Sequence, residues 1–272
     1  MIYYIRQQSG LPLSCPARII KNIGGGLMSI DILQEKIRKT KNPSVLELAM
    51  PVGELPPHIL EEEESAGAAC ARFCRELMER LKGMVPAVRI SFSAFALLGH
   101  DGLYRLSETL KEAAELGYYV VLDAPEVLSP ASAKNTAQIL LGQGSIYPCD
   151  GLVISGYLGS DVIKPFLPYC REEKKDIFVV ARTASAADSL RSLRGKYPRL
   201  FLLLDGYDYP NANARNCSNA FDKFGHGAVA CGGSSITCAW RQAESDGRDY
   251  LDHAKAAAER MKRNLTRYVT IL

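Results

Sequence analysis

Short, unbroken apolar runs alternating with amphipathic segments constrain this chain most, and Tyr118-Tyr119-Val120-Val121-Leu122-Asp123 is the clearest of the runs. It is aromatic and β-branched at both parities, as a strand covered on both faces must be, and it ends in a carboxylate where parallel α/β folds place their chemistry. Comparable runs are Val45 to Met50, Val88 to Phe95, Gly151 to Ser155, Ile177 to Ala181, Leu200 to Leu204 and Ala228 to Cys231. Between them, apolar residues recur at helical spacing: Cys70, Phe73, Cys74, Leu77 and Leu81 within Ile59 to Leu81, then Leu103, Leu106 and Leu110, then Ser132 to Leu141. Leu251, Ala254, Ala258, Met261 and Leu265 mark a closing helix. Continuous strands separated by amphipathic helices predict a parallel sheet covered on its helical side.

The pattern yields seven strands, whereas a closed TIM-type (β/α) barrel has eight. Between Ala181 and Leu200 there is room for one helix, around Ala186 to Leu193, but not for a helix, a strand and a second helix. Either a further strand pairs at a place the pattern does not mark, or the barrel has lost one βα unit and is open or distorted there. A chain of 272 residues that is 47% hydrophobic can bury one such domain.

Residues 1–27 differ in character. Pro12, Pro16 and Gly24-Gly25-Gly26 break any element, and Met28-Ser29-Ile30-Asp31 then opens a helix carrying Ile32, Leu33 and Ile37. The expectation is a flexible extension with few core contacts, or a non-native segment in which Met28 is the true start and the glycines are translated from a purine-rich ribosome-binding site. The barrel is expected over 28–272.

The charge balance of 33 basic against 30 acidic residues gives a net +3, with no Lys/Arg stripe interleaved with aromatics, so nucleic acid is not an expected partner. Eight cysteines without a CxxC pair indicate neither a disulfide framework nor a zinc ribbon. No apolar run reaches the roughly 18 residues of a membrane helix, and the first residues lack a signal-peptide pattern. The expectation is a soluble, cytoplasmic protein with reduced thiols and no membrane partner.

Several segments resemble the longer bacterial type of orotidine 5'-phosphate decarboxylase. These are Leu33 to Val45 (LQEKIRKTKNPSV), Leu55 to Leu60 (LPPHIL), Tyr157-Leu158-Gly159-Ser160-Asp161 with Pro165-Phe166, and Ile236-Thr237-Cys238-Ala239-Trp240. The resemblance covers roughly Met28 to Leu272 in one order. It implies a TIM barrel working as a homodimer, and decarboxylation of orotidine monophosphate to UMP without metal or organic cofactor. The reaction needs an ammonium to stabilise and protonate a carbanion at C6, and carboxylates to position it.

Measured against that family, the site residues are depleted. The D-x-K-x-x-D run keeps Asp123 but has Pro125 for the lysine and Leu128 for the second aspartate, which in the family reaches the partner subunit. Ala49 stands for the first-strand aspartate and Arg89 for the second-strand lysine. Asp205-Gly206-Tyr207-Asp208-Tyr209-Pro210-Asn211 stands for the phosphate-side loop, with Pro210 for its glutamine, and Cys231-Gly232-Gly233-Ser234-Ser235 puts Ser234 in place of the phosphate-gripping arginine. Serine does not replace a bidentate guanidinium. The pattern is that of a decayed or repurposed paralogue.

The remaining candidates each have a plainer reading. Asp123 and Arg89 are the catalytic candidates, although Asp123 without its lysine could simply cap the next turn. Gly232, Gly233 and Ser234, with Tyr207 and Asp205, are the candidates for binding substrate phosphate through backbone N–H groups, against an ordinary strand-to-helix turn. Cys231 with His226 suggests a thiolate, but small cysteines at strand ends mostly pack. Cys70 and Cys74 read as core, and Glu61 to Glu64 as a solvated helix start. Three functions stand open: the family decarboxylase; a silent barrel binding a nucleotide or a protein; and a different enzyme acting on a phosphorylated small molecule through Asp123, Glu126, Arg89, Asp205 or Asp208.

Overall fold

The computed structural model describes residues 2–4, 29–49, 51–125, 130–155, 164–180, 201–204 and 214–271. Its strands are β1 (Ile2–Tyr4), β2 (Ser44–Leu48), β3 (Ala87–Ser91), β4 (Tyr119–Asp123), β5 (Gly151–Ser155), β6 (Asp176–Val180), β7 (Phe201–Leu204) and β8 (Ala228–Gly232). They close a barrel in the order β1-β6-β5-β4-β3-β2-β8-β7. The seven strands β2 to β8 are the seven of the apolar pattern, and every pairing among them is parallel. The expected TIM-type barrel is borne out.

Alternation along these strands divides the apolar side chains between two cores. Val45, Ala87, Tyr119, Val121, Val153, Phe178 and Val229 point inward and pack on one another. Leu46, Leu48, Val88, Ile90, Val120 and Leu122 point outward, beneath the helices. Every side chain of β3 and β4 is buried because both faces are covered. Gly151 is required by this interior: a Cβ there would lie 2.6 Å from the Phe178 ring.

Helix α1 (Ser29–Thr40) stoppers the end of the barrel at which the strands begin. Its Ile30, Leu33 and Ile37 join the inner core, while Ile32 is 38% exposed. Ser29 Oγ donates to the Asp150 carbonyl at 3.3 Å and Lys36 Nζ to the Gly117 carbonyl at 2.5 Å, both just ahead of strands. Asn42, fully buried, donates to the Met84 carbonyl at 2.7 Å and accepts from the N–H and Oγ of Ser44.

Two expected boundaries move for identifiable reasons. The strand read as Val88 to Phe95 ends at Ser91, whose Oγ accepts from Ala94 N at 3.2 Å and opens helix α4 (Phe92–Ala96). The single helix read over Ile59 to Leu81 is two, Pro57–Glu62 (α2) and Ala66–Leu81 (α3), because Ser65 caps the second by accepting from Ala68 N at 3.0 Å. The glutamate run is therefore not a helix start. It ends α2 and forms the junction, with Glu62 and Glu63 on Arg72 at 2.9 and 3.1 Å and Glu64 on Arg105 at 2.9 Å. Cys70 and Cys74 are core, as expected, and burial raises the Cys70 thiol to about 11.

The N-terminal segment departs from its expected lack of structure at one place. Ile2–Tyr4 forms β1, antiparallel to β6 on one side and to β7 on the other. Three aromatic or β-branched residues suffice because two sets of backbone partners await them; a run so short shows no periodicity. Residues 5–28, and the connection 181–200 in which the sequence leaves room for one helix, lie outside the described residues. Among the described residues no helix is long and apolar enough to cross a membrane.

Candidate functional site

The strand alternation that fills the barrel with apolar side chains places three charged ones at its mouth. In β2, Glu47 has the parity of the inward Val45; in β3, Arg89 has that of Ala87; in β4, Asp123 has that of Tyr119 and Val121. Glu47 is in register with Arg89, and the guanidinium also reaches diagonally up to Asp123, two residues beyond its own partner Val121. Arg89 Nη1 lies 3.2 Å from Glu47 Oε1 and Nη2 lies 2.7 Å from Asp123 Oδ2. Side-chain exposure is 7% for Arg89, 12% for Asp123 and 22% for Glu47.

Such a cation is fixed in place. A guanidinium does not give up its proton at any ordinary pH, and truncating one member would strand buried charge. The three side chains by themselves carry one net negative charge. Thus the structure brings together Arg89 and Asp123, which the sequence offers as separate candidates at strand ends, and adds Glu47, which the sequence candidates do not include. The signal was available: a carboxylate at an inward parity in Val-Leu-Glu-Leu must either meet a cation or face the mouth.

The rim beyond β8 is a turn. Gly233 precedes a single helical turn (Ser234–Thr237), with Ser234 exposed. Gly232 is explained by packing, since a Cβ there would lie 2.7 Å from Met261 Sδ and 2.9 Å from Ile236 Cδ1. The loop after β2 is tied to this rim: Cys238 Sγ donates to Glu54 Oε2 at 3.3 Å, and Arg241 donates to the Gly53 carbonyl. Cys231 is 1% exposed and packs in the inner core with Val45 and Val229. His226 precedes β8 at its opposite end and accompanies Asp222, whose Oδ1 accepts the His226 N–H at 2.9 Å. No dyad with Cys231 is assembled.

Pro125 follows β4 and Ala49 follows β2. Tyr207, Asp205, Asp208, Pro210, Glu126 and Leu128 lie outside the described residues, as does Asp161. Among the described residues no group of three or more His, Cys, Asp or Glu side chains is placed to hold a metal ion.

No protein-family model matches the chain. An orotidine 5'-phosphate decarboxylase of Rhodopirellula baltica is 24% identical over 260 aligned residues, spanning 75% of this chain and 86% of the relative. Another, from Petrotoga mobilis, is 19% identical over 88% of this chain and 98% of its own. Among solved structures, the orotidine monophosphate decarboxylase of Leishmania donovani superposes with a TM-score of 0.66 at 17% identity, over 89% of this chain and 98% of that one. In sequence and in fold, this protein resembles the orotidine 5'-phosphate decarboxylase family.

Proposed function

We propose that this protein is a barrel of orotidine 5'-phosphate decarboxylase descent whose mouth takes a phosphorylated, nucleotide-like molecule and whose decarboxylation of orotidine monophosphate is weak or absent. One observation carries the reading: the described cation at the mouth is Arg89, bracketed by Glu47 and Asp123 at 3.2 and 2.7 Å. The family reaction asks for an ammonium that stabilises and then protonates a carbanion. A guanidinium held between two carboxylates offers fixed charge but no transferable proton. Pro125, which follows Asp123 at the position of the family lysine, supplies neither charge nor proton.

The phosphate end is weakened in the same way. Ser234 is exposed beside the Gly232-Gly233 turn and can offer a hydroxyl and backbone N–H groups, but no guanidinium fork. Asp205 and Tyr207 complete the proposed phosphate side. The protein acts as a homodimer in the cytoplasm, with Leu128 at the position from which the family's aspartate enters the partner.

The test has two arms. A strain lacking its own decarboxylase and carrying this gene is expected not to grow without uracil. Purified protein is expected to release carbon dioxide from orotidine monophosphate little faster than buffer, while calorimetry with UMP and uridine shows binding that needs the phosphate. Release well above buffer that Asp123→Asn abolishes would overturn the proposal, because the Glu47, Arg89 and Asp123 set would then be performing the family reaction.

A further inference from the structure

We infer that the N-terminal segment Ile2–Tyr4 is a closing strap: it fills, from the other end of the chain, the slot of a missing parallel strand between β6 and β7, and joins the two halves of the barrel. The inference is independent of the decarboxylase reading. With seven parallel strands alone, β6 and β7 would be two facing edges, each with a row of N–H and C=O groups lacking sheet partners. A parallel strand between them would need a crossover of about a dozen residues or more on each side. The twenty residues 181–200 cannot provide two crossovers and a strand.

A strand arriving from elsewhere is free of that constraint and can run the other way. β1 does so, pairing Ile2, Tyr3 and Tyr4 with Val180, Val179 and Phe178 on one side and with Leu203, Leu202 and Phe201 on the other. Ile2 lies level with the end of β6, at the mouth, and Tyr4 nearer its start. β1 therefore runs from the mouth toward the end of the barrel that α1 stoppers. A slot accepting an extended segment on both edges is β-augmentation within one molecule. Its occupant is the chain's own Ile2–Tyr4 segment.

Amide hydrogen exchange on the full-length protein tests this. In the parent, the Tyr3 and Tyr4 amides are expected to be protected. Tyr3→Pro removes an N–H and fixes φ away from strand geometry. It should speed exchange at 178–180 and 201–203 by at least about tenfold, while Tyr3→Val leaves these amides as in the parent. Unprotected Tyr3 and Tyr4 amides in the parent would overturn the inference without recourse to any variant. So would equal protection of β6 and β7 in the parent and a folded Tyr3→Pro protein. Protection lost on hundredfold dilution would assign the strand to a second copy and overturn its placement within one chain.

Discussion

At the floor of the barrel, Tyr119 donates its hydroxyl to Asp176 Oδ2 at 2.6 Å, with both residues at most 1% exposed; at the mouth, Arg89 stands between Glu47 and Asp123. Both polar groups rise from the same alternating strands and are surrounded by the same inner core. They differ in charge and in access. The floor has a neutral donor on a carboxylate, sealed by α1, and burial first and Asp176 second hold the Tyr119 hydroxyl well above its ordinary pKa. The mouth has a permanent cation and two partly exposed carboxylates. Residues at the floor of such a barrel serve stability and those at the mouth serve ligands. Here the mouth also carries a stability burden, because its charges are buried enough to depend on one another.

The largest effect should come from breaking the mouth. Arg89→Met removes the guanidinium from between Glu47 and Asp123 and should destabilise by about 3–5 kcal/mol in urea unfolding. Adding Glu47→Gln and Asp123→Asn should recover much of that loss. If the single variant is as stable as the parent, the trio is solvated and the contrast with the floor fails.

Next comes the rim. Gly232→Ala should cost about 1–3 kcal/mol, because its methyl meets Met261 and Ile236. The loss should appear in thermal unfolding without ligand, which separates packing from any role in holding phosphate.

At the floor, Tyr119→Phe should cost about 1–2 kcal/mol at neutral pH, since Asp176 loses the hydroxyl. The sign with pH is fixed. Because the folded-state pKa is raised above the unfolded value near 10, the Tyr119 contribution is complete below pH 10 and declines as pH rises beyond it. The phenylalanine variant should therefore lose less stability than the parent between pH 10 and 11, as read by denaturant titration.

The smallest effect is expected at Ser234, which is exposed. Ser234→Ala should leave stability within about 0.5 kcal/mol and weaken UMP binding severalfold. A stability loss as large as that of Gly232→Ala would make the rim structural rather than ligand-facing.

How much of this was legible in the sequence depends on range. Strands β2 to β8 were, because their apolar parity is local and continuous, and so were Arg89 and Asp123 as residues near strand ends; that the two meet was not, because it depends on a diagonal between β3 and β4. Glu47 was passed over because Ala49 stands at the family's aspartate position, although the inward parity of Glu47 was plain. The split at Ser65 was hidden by a helical period that runs across a cap, since apolar spacing says nothing of where a hydroxyl turns back on the backbone. β1 was beyond reach for a different reason: three residues carry no period, and their partners lie near positions 180 and 203.

That last separation bears on how the molecule is made. A ribosome delivers Ile2, Tyr3 and Tyr4 ahead of both strands they pair with, Asp176–Val180 and, later still, Phe201–Leu204. The stretch from β2 to β6 can settle in order as it appears, each strand meeting the one before it. Residues 2–4 can pair with β6 once it has emerged but must wait for β7, their most distant partner in sequence, and the ring closes only when β8 in turn pairs with β7 and β2. The barrel is thus completed late, and a nascent chain halted before β7 would hold the strand pairs from β2 to β6, with β1 on β6, but no finished ring.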